Sequence, residues 1–271
     1  MDLDRDQLAS LFPNIAAQMR GMLSNLYLSA SKLASSDARK ADPKLDATAA
    51  ILDQSYYQML RMVSSLSSAE YLVKEEPLQM QDHDVVALVS SICESSSDLA
   101  EEIGLHLHFV CAEEQHICAI HPTAFEQLVY HLLSNAMKFT PAGGNITVEL
   151  KKRGDKLHLT VTDDGCGIPQ DRMDTLFERY LHTATPEPPP HGLGLGLPLC
   201  RRIAECHEGT LLVQSAEGKG SSFTLSIPDR QLGKGLSDVP LVYHSGFNHT
   251  LLGLADALPS KAFSISFQDE T

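Results

Sequence analysis

Apolar residues near the N-terminus recur on a seven-residue helical stripe, and that pattern constrains the chain more than any other feature. Leu8, Phe12, Ile15, Met19, Met22, Leu26 and Leu33 fall four and three apart, with Ser29 the one break. A second stripe runs Leu45, Ala49, Leu52, Tyr56, Met59, Val63, Leu66. Between them, Ala41-Asp42-Pro43-Lys44 supplies an N-cap and a proline at the first helical position. The spacing predicts two helices of about thirty residues, each ~45 Å long, folded back as an antiparallel hairpin. A lone hairpin has little interior, so its seam is expected to meet a copy of itself and close as a four-helix bundle in a homodimer. The alternative is that the stripe packs on the rest of the same chain.

The remaining residues must supply a second unit, because 271 residues suggest roughly two domains and 43% of them are hydrophobic. That composition excludes disorder as the main state. With 35 acidic against 21 basic side chains and a formal charge of −14, no nucleic acid is expected as a partner. The six cysteines contain no Cys-x-x-Cys pair, which argues against zinc and dithiol chemistry and for reduced, mostly buried thiols. No stretch approaches the ~18 to 20 apolar residues of a membrane span, and Met1-Asp2-Leu3-Asp4-Arg5-Asp6 is acidic where a signal peptide is basic. The expectation is a cytoplasmic protein with no membrane insertion.

Composition changes after a short polar connection, Glu75-Glu76-Pro77 through Asp82, which sets the expected boundary: a hairpin over 1–76 and a second domain over 80–230. There, Asp84 can cap a helix over Val85 to Ile103, ended by Gly104. Strands are expected at Leu105 to Cys111, His116 to Ile120, Ile146 to Lys151, Leu157 to Asp163, Thr210 to Ser215 and Ser222 to Ile227. Helices are expected at Pro122 to Phe139 and Leu199 to His207. Strand runs separated by helices predict an α+β sandwich, one sheet with helices on one face. In the extension over 231–271, Val239 to His244 and Ala262 to Phe267 read as strands. They flank a helix near Asn248 to Ala257, started by Ser245-Gly246-Phe247-Asn248. Such a unit could extend the sheet, dock a partner, or be an ordered tail.

Three segments carry chemistry. His131, Asn135 and Lys138 stand at i, i+4 and i+7 on one face of an otherwise apolar helix. A carboxamide oxygen suits Mg²⁺ and a lysine one turn on suits phosphate, although a polar outer face of a surface helix would look the same. Next, a strand runs into Asp163-Asp164-Gly165-Cys166-Gly167-Ile168-Pro169. Its glycines let the backbone turn and approach a flat ligand, and its carboxylate can accept a bond from an exocyclic amine such as that of adenine; a capped turn is the plainer alternative. Third, Gly192-Leu193-Gly194-Leu195-Gly196-Leu197-Pro198 opens a helix, where backbone N–H groups face anions. No Lys follows it and no strand precedes it, so it is neither a P-loop nor a dinucleotide fingerprint.

In this order and spacing, residues 84 to 228 resemble the ATP-binding domain of sensor histidine kinases, within the wider GHKL ATPase superfamily of gyrase, mismatch-repair and heat-shock chaperone ATPases. The matching text is His131 to Pro141 for the Asn-containing box, Asp163 to Pro169 for the first glycine box and Leu176-Phe177-Glu178-Arg179-Tyr180 for the Phe box. Gly192 to Leu197 matches the second glycine box, and His207-Glu208-Gly209-Thr210 with Gly218 to Phe223 matches the closing strands. The resemblance implies a GHKL-type α/β sandwich that binds ATP or ADP with Mg²⁺. Asn135 would hold the metal, Lys138 would face phosphate, Asp163 would hold the adenine amino group, and Gly165, Gly167, Gly192, Gly194 and Gly196 would form the two loops. Residues from about Phe177 to His191 would be the lid, stiffened by Pro186-Glu187-Pro188-Pro189-Pro190. His131 would be a polar neighbour of the phosphates or only a packed imidazole.

The hairpin departs from the family. Where its members carry the phosphoacceptor His and an acidic neighbour, this chain reads Asn14-Ile15-Ala16-Ala17-Gln18-Met19-Arg20-Gly21-Met22-Leu23. Ala17 then stands at the acceptor and Gln18 at the acidic position, and neither a methyl group nor a neutral amide can do that work. All twelve histidines lie at position 83 or later. The expected function is an ATP-binding, two-component signalling protein that is a degenerate kinase without hairpin autophosphorylation. The alternatives are a dimeric scaffold that docks a response-regulator-like receiver domain, or a kinase acting on a site other than its own hairpin.

Overall fold

The acidic turn at Asp42 sets the geometry of the N-terminal region. In a computed structural model, which describes residues 5–68, 78–173, 175–177, 194–233 and 247–268, helix α1 covers Arg5–Leu33 and helix α3 Pro43–Ser68. The Asp42 carboxylate accepts the Lys44 amide at 2.9 Å, and Pro43 is the first residue of α3, as the sequence predicts. One short helix between them, α2 (Ser36–Ala41), is additional; Ser35 caps it by accepting the Ala38 amide at 3.3 Å.

Burial does not follow the first stripe. Tyr56 and Val63 of the second stripe are buried, but on α1 the buried residues are Ala16 and Leu23, one position beside the predicted stripe, and Tyr27 stacks on Tyr56 with ring centroids 4.4 Å apart. Ile15, Met19, Met22, Leu26, Leu33, Leu52 and Met59 remain exposed.

The second domain is mixed helix and sheet, and its main sheet has five strands. Strand β2 (His106–Cys111) lies parallel to β4 (Asn145–Arg153), and antiparallel partners β5 (Lys156–Asp163), β7 (Ser221–Pro228) and β6 (Thr210–Ser215) follow, in the order β2-β4-β5-β7-β6. Strands β4 and β5 alternate burial as half-buried strands must, with Ile146, Val148, Leu150, Leu157, Leu159 and Val161 inward. Against that face pack α4 (Val85–Glu102) and α5 (Pro122–Phe139) with α7 (Gly196–Cys206); α6 (Gln170–Met173) is one short turn.

The expectation of one sheet needs correction. A separate two-stranded ribbon pairs β1 (Gln81–Asp84) with β3 (Ile117–Ile120), antiparallel. Gln81-Asp82-His83-Asp84 has no apolar signature and reads as connection. Tertiary bonds make it a strand: the Asp82 carboxylate accepts the amides of Leu232 and Gly233, each at 2.7 Å.

The extension is also corrected. Asn248 does cap a helix, α8 (His249–Leu254), accepting the Leu251 amide at 3.0 Å. Ala262 to Phe267, expected as a strand, is a 3₁₀ turn (Ser260–Phe263) followed by the helical turn α9 (Ile265–Gln268). Its alternating apolar residues suggested period two, but side chains take the backbone donors that a strand would need. Ser264 Oγ accepts the Phe267 amide and Asp46 Oδ1 the Ile265 amide, at 3.2 and 3.1 Å. The segment therefore does not join the sheet. It clasps α3: Arg39 donates to Asp46, Asp53 and the Phe263 carbonyl, and Gln54 donates to the Leu258 carbonyl at 2.7 Å. The expected strand Val239 to His244 lies outside the described residues.

Candidate functional site

Helix α5 begins at Pro122 behind His121, whose Nδ1 accepts the Ala124 amide at 3.2 Å. Phe125, Leu128, Val129, Leu132, Leu133 and Ala136 anchor it to the core. What remains is a polar stripe of His131, Ser134, Asn135 and Lys138, the last two half-buried. The Asn135 carboxamide makes no hydrogen bond among the described residues, so its oxygen and amide are available to a ligand.

His131 is wholly enclosed. Its Nδ1 lies 3.2 Å from Arg61 Nη2, and since a guanidinium only donates, Nδ1 is the acceptor and the ring proton sits on Nε2. Burial first, then the charges of Arg61 and Lys138, push its pKa down to about 3, so the imidazole is neutral. Lys138 Nζ points to Asp256 Oδ2 at 3.5 Å, and Arg61 Nε to the same oxygen at 3.2 Å.

The first glycine box lies at the C-terminal end of α5. Gly165 packs so closely that an added Cβ would meet the Phe139 carbonyl, and the Cys166 amide donates to that same oxygen at 3.1 Å. Gly167 has φ +68, and an added Cβ would strike the Ala216 carbonyl in the β6–β7 turn. The loop is tied to that turn by Gly218 N–H to the Cys166 carbonyl (2.7 Å) and Ile168 N–H to Ser215 Oγ (2.8 Å). Cys166 is exposed there; all six cysteines are free, three of them buried.

These contacts fix Asp163 at the end of β5. Its Oδ1 accepts the Gly165 amide at 3.0 Å, and among the described residues it has no cationic partner. Burial raises its pKa from the ordinary aspartate value, while the Gly165 and Ser221 amides oppose that rise. Such a carboxylate gains most from a further hydrogen-bond donor. The adjacent Asp164 serves the scaffold, accepting both the backbone and side-chain amides of Asn145.

The second glycine box meets α5 from the other side. An added Cβ on Gly196 would come 3.3 Å from the His131 ring. Gly196 opens α7 and Leu195 gives it no side-chain cap, so among the described residues the N–H groups of Gly196 and Leu197 are open to an anion. Gly194 adopts φ +70; Gly192 lies outside the described residues. In the Phe box, Leu176 and Phe177 pack on the core, and the Arg201 guanidinium lies 5.7 Å over the Phe177 ring. Glu178, Arg179, Tyr180 and the rest of the expected lid lie outside the described residues.

The structure thus brings His131, Asn135, Lys138, Gly165, Gly167, Gly196 and Asp163 around one helix and its two flanking loops. Arg61 and Asp256, which sequence reasoning missed, join them. Arg61 lies between Met59 and Val63 of a stripe that reads only as packing, and Asp256 lies in a segment with no motif. On the hairpin, Ala17 and Gln18 are both exposed. No helix among the described residues is long and apolar enough to cross a membrane.

The family described as "Histidine kinase-, DNA gyrase B-, and HSP90-like ATPase" matches residues 120–231. Among curated relatives, the adaptive-response sensory kinase SasA of Synechococcus sp. (strain JA-2-3B'a(2-13)) is 30% identical over 192 residues, 68% of this chain and 50% of that protein. The aerobic respiration control sensor protein ArcB of Escherichia coli (strain K12) is 43% identical over 108 residues, 39% of this chain and 14% of that protein. This chain spans half or less of the length of these relatives. Full-length ShkA, solved in complex with AMPPNP, superposes with a TM-score of 0.64 at 22% identity, covering 84% of this chain and 47% of that one. The Acinetobacter baumannii histidine kinase AdeS follows at 0.50 and 20%, covering 67% of this chain and 85% of that one. The structural likenesses establish the fold.

Proposed function

We propose, for a chain whose residues 120–231 are an ATPase domain homologous to those of sensor histidine kinases, that it binds ATP or ADP with Mg²⁺ and signals without phosphorylating its own hairpin. The observation that carries the reading is the convergence on α5. Among the described residues, a carboxamide without a partner, a buried carboxylate without a cation and a helix start without a side-chain cap surround one stripe. These groups fit the nucleotide. Asn135 would ligate Mg²⁺, which supplies charge neutralisation for the phosphates. Asp163 would take the adenine amino group, and the loops of Gly165, Gly167, Gly192, Gly194 and Gly196 would close on ring and phosphates.

The hairpin departs from that chemistry, because the exposed acceptor position is a methyl group. The exposed apolar face of the hairpin supports a homodimer, and the two-component kinship supports a response-regulator receiver domain as partner. An ATP-dependent role with free thiols fits the cytoplasm. Replacing Asp163 by Ala is expected to weaken Mg·ATP binding by about ten- to a hundredfold, on the scale of a hydrogen bond to a charged group. Unchanged calorimetric affinity would remove the adenine assignment. Incubation with γ-labelled ATP is expected to leave no acid-labile label on residues 1–76.

A further inference from the structure

Two cations, one buried and one half-buried, share one oxygen of one carboxylate. Arg61, on α3, and Lys138, on α5, both point to Asp256 Oδ2, at 3.2 and 3.5 Å, and their side chains are 9% exposed each. Charge-assisted hydrogen bonds with good geometry are ~2.7–2.9 Å, so both contacts are long. The cluster also has one positive charge in excess. Among the described residues, Arg61 Nη1 is buried without a hydrogen-bond partner, as is His131 Nε2. A buried guanidinium with an unused donor is costly unless an anion completes its coordination. A polyphosphate presents more oxygens than Asp256 offers.

Its surroundings point to the nucleotide as the source of that anion. Arg61 is oriented by neutral His131, whose ring faces Gly196 at the uncapped start of α7. Lys138 is the stripe's own cation, one turn beyond Asn135. Asp256 follows α8, which is tethered at both flanks: Gln58 Nε2 donates to the Ala255 carbonyl at 3.3 Å, and Gly253 lies against the Tyr130 ring. The carboxylate is therefore held at the site by its own segment.

We propose that Arg61 is a phosphate ligand contributed by the hairpin to the nucleotide site, and that Asp256 is a tethered anion whose place the nucleotide polyphosphate takes. The proposal rests on the nucleotide reading above. It adds that occupancy of the site frees Asp256, and with it the segment that clasps α3. A protein whose nucleotide site is filled would then hold its hairpin differently from an empty one.

The full chain is titrated calorimetrically with Mg·ATP and with adenosine, which has the purine but no phosphate, alongside Arg61→Gln, Arg61→Lys and Asp256→Asn. Removing the competitor in Asp256→Asn is expected to tighten Mg·ATP about three- to tenfold and leave adenosine unchanged. Arg61→Gln should weaken Mg·ATP by about tenfold with adenosine again unchanged, whereas Arg61→Lys, which keeps the charge, should retain most of the affinity. In the unaltered chain, Mg·ATP should speed amide exchange over residues 249–258 and adenosine should not. Mg·ATP binding that is indifferent to Arg61→Gln and Asp256→Asn would overturn this proposal and leave the nucleotide reading standing. So would an equal loss in Arg61→Lys and Arg61→Gln, which marks packing rather than charge. An unaltered chain that takes up neither Mg·ATP nor adenosine would overturn both.

Discussion

Helix α1 and helix α5 are both amphipathic, but they differ in where their polar residues go. On α5, His131 and Lys138 turn into the protein, where Arg61 and Asp256 meet them and two glycine loops close the flanks. On α1, Asn14, Ala17, Gln18 and Arg20 face solvent, with no imidazole among them. An interior polar stripe is expensive and persists only when it is satisfied or when a ligand completes it. An exposed stripe has no such constraint, so a nucleophile can be lost there without cost to the fold. The binding element and the acceptor element of such a protein can therefore part company, with the fold enforcing only the first.

The sharpest way to break that contrast is to install an acceptor on α1. If the exposed surface lacks only a nucleophile and its base, Ala17→His with Gln18→Glu should convert a hairpin with no label into one carrying acid-labile phosphate from ATP. Continued absence of label, with nucleotide binding intact, would mean that the α5 site does not support phosphoryl transfer to this position.

The next effect is on stability. Arg39 lies between Asp46 and Asp53 at 2.9 and 2.7 Å and also holds the Phe263 carbonyl. Arg39→Leu would leave two enclosed carboxylates without their cation, a loss of about 3–5 kcal/mol. Chemical denaturation should show it, and amide exchange should rise first over residues 260–268. An unchanged midpoint would mean that the clasp contributes little to the hairpin.

Per pH unit, the effect of titration is smaller. His131 titrates near its ordinary value of about 6.5 when unfolded, but at about 3 when folded. Between those values the unfolded chain binds the extra proton, so this contribution to stability is complete above pH 6.5 and is lost as pH falls toward 3. His131→Gln should remove at most one proton from the acid slope, ~1.4 kcal/mol per pH unit. His121 and His207, also held low by burial, should keep the remainder. A slope identical in the variant would show that His131 is reached by solvent.

Much of this architecture is written locally. The Asp42-Pro43 break, the Asp84 cap, the period of α5 and the alternation of β4 and β5 act within a few residues, and the structure follows them. What could not be read is set across the chain. Strand β1 exists because Asp82 binds the backbone at 232–233, and Ala262 to Phe267 is helical because Asp46 takes its amides. The candidate site divides in the same way. Glycine spacing and the His131, Asn135, Lys138 interval are visible in one dimension. Arg61 and Asp256 reach the stripe from opposite ends of the chain, and no pattern in either segment marks them.

Calorimetric titration of Mg·ATP into the nucleotide-stripped chain bears most directly on the central claim. We expect saturable binding at one site per chain, competed by ADP and weakened by chelating the magnesium. No heat at millimolar nucleotide, with the protein folded by circular dichroism, would contradict it.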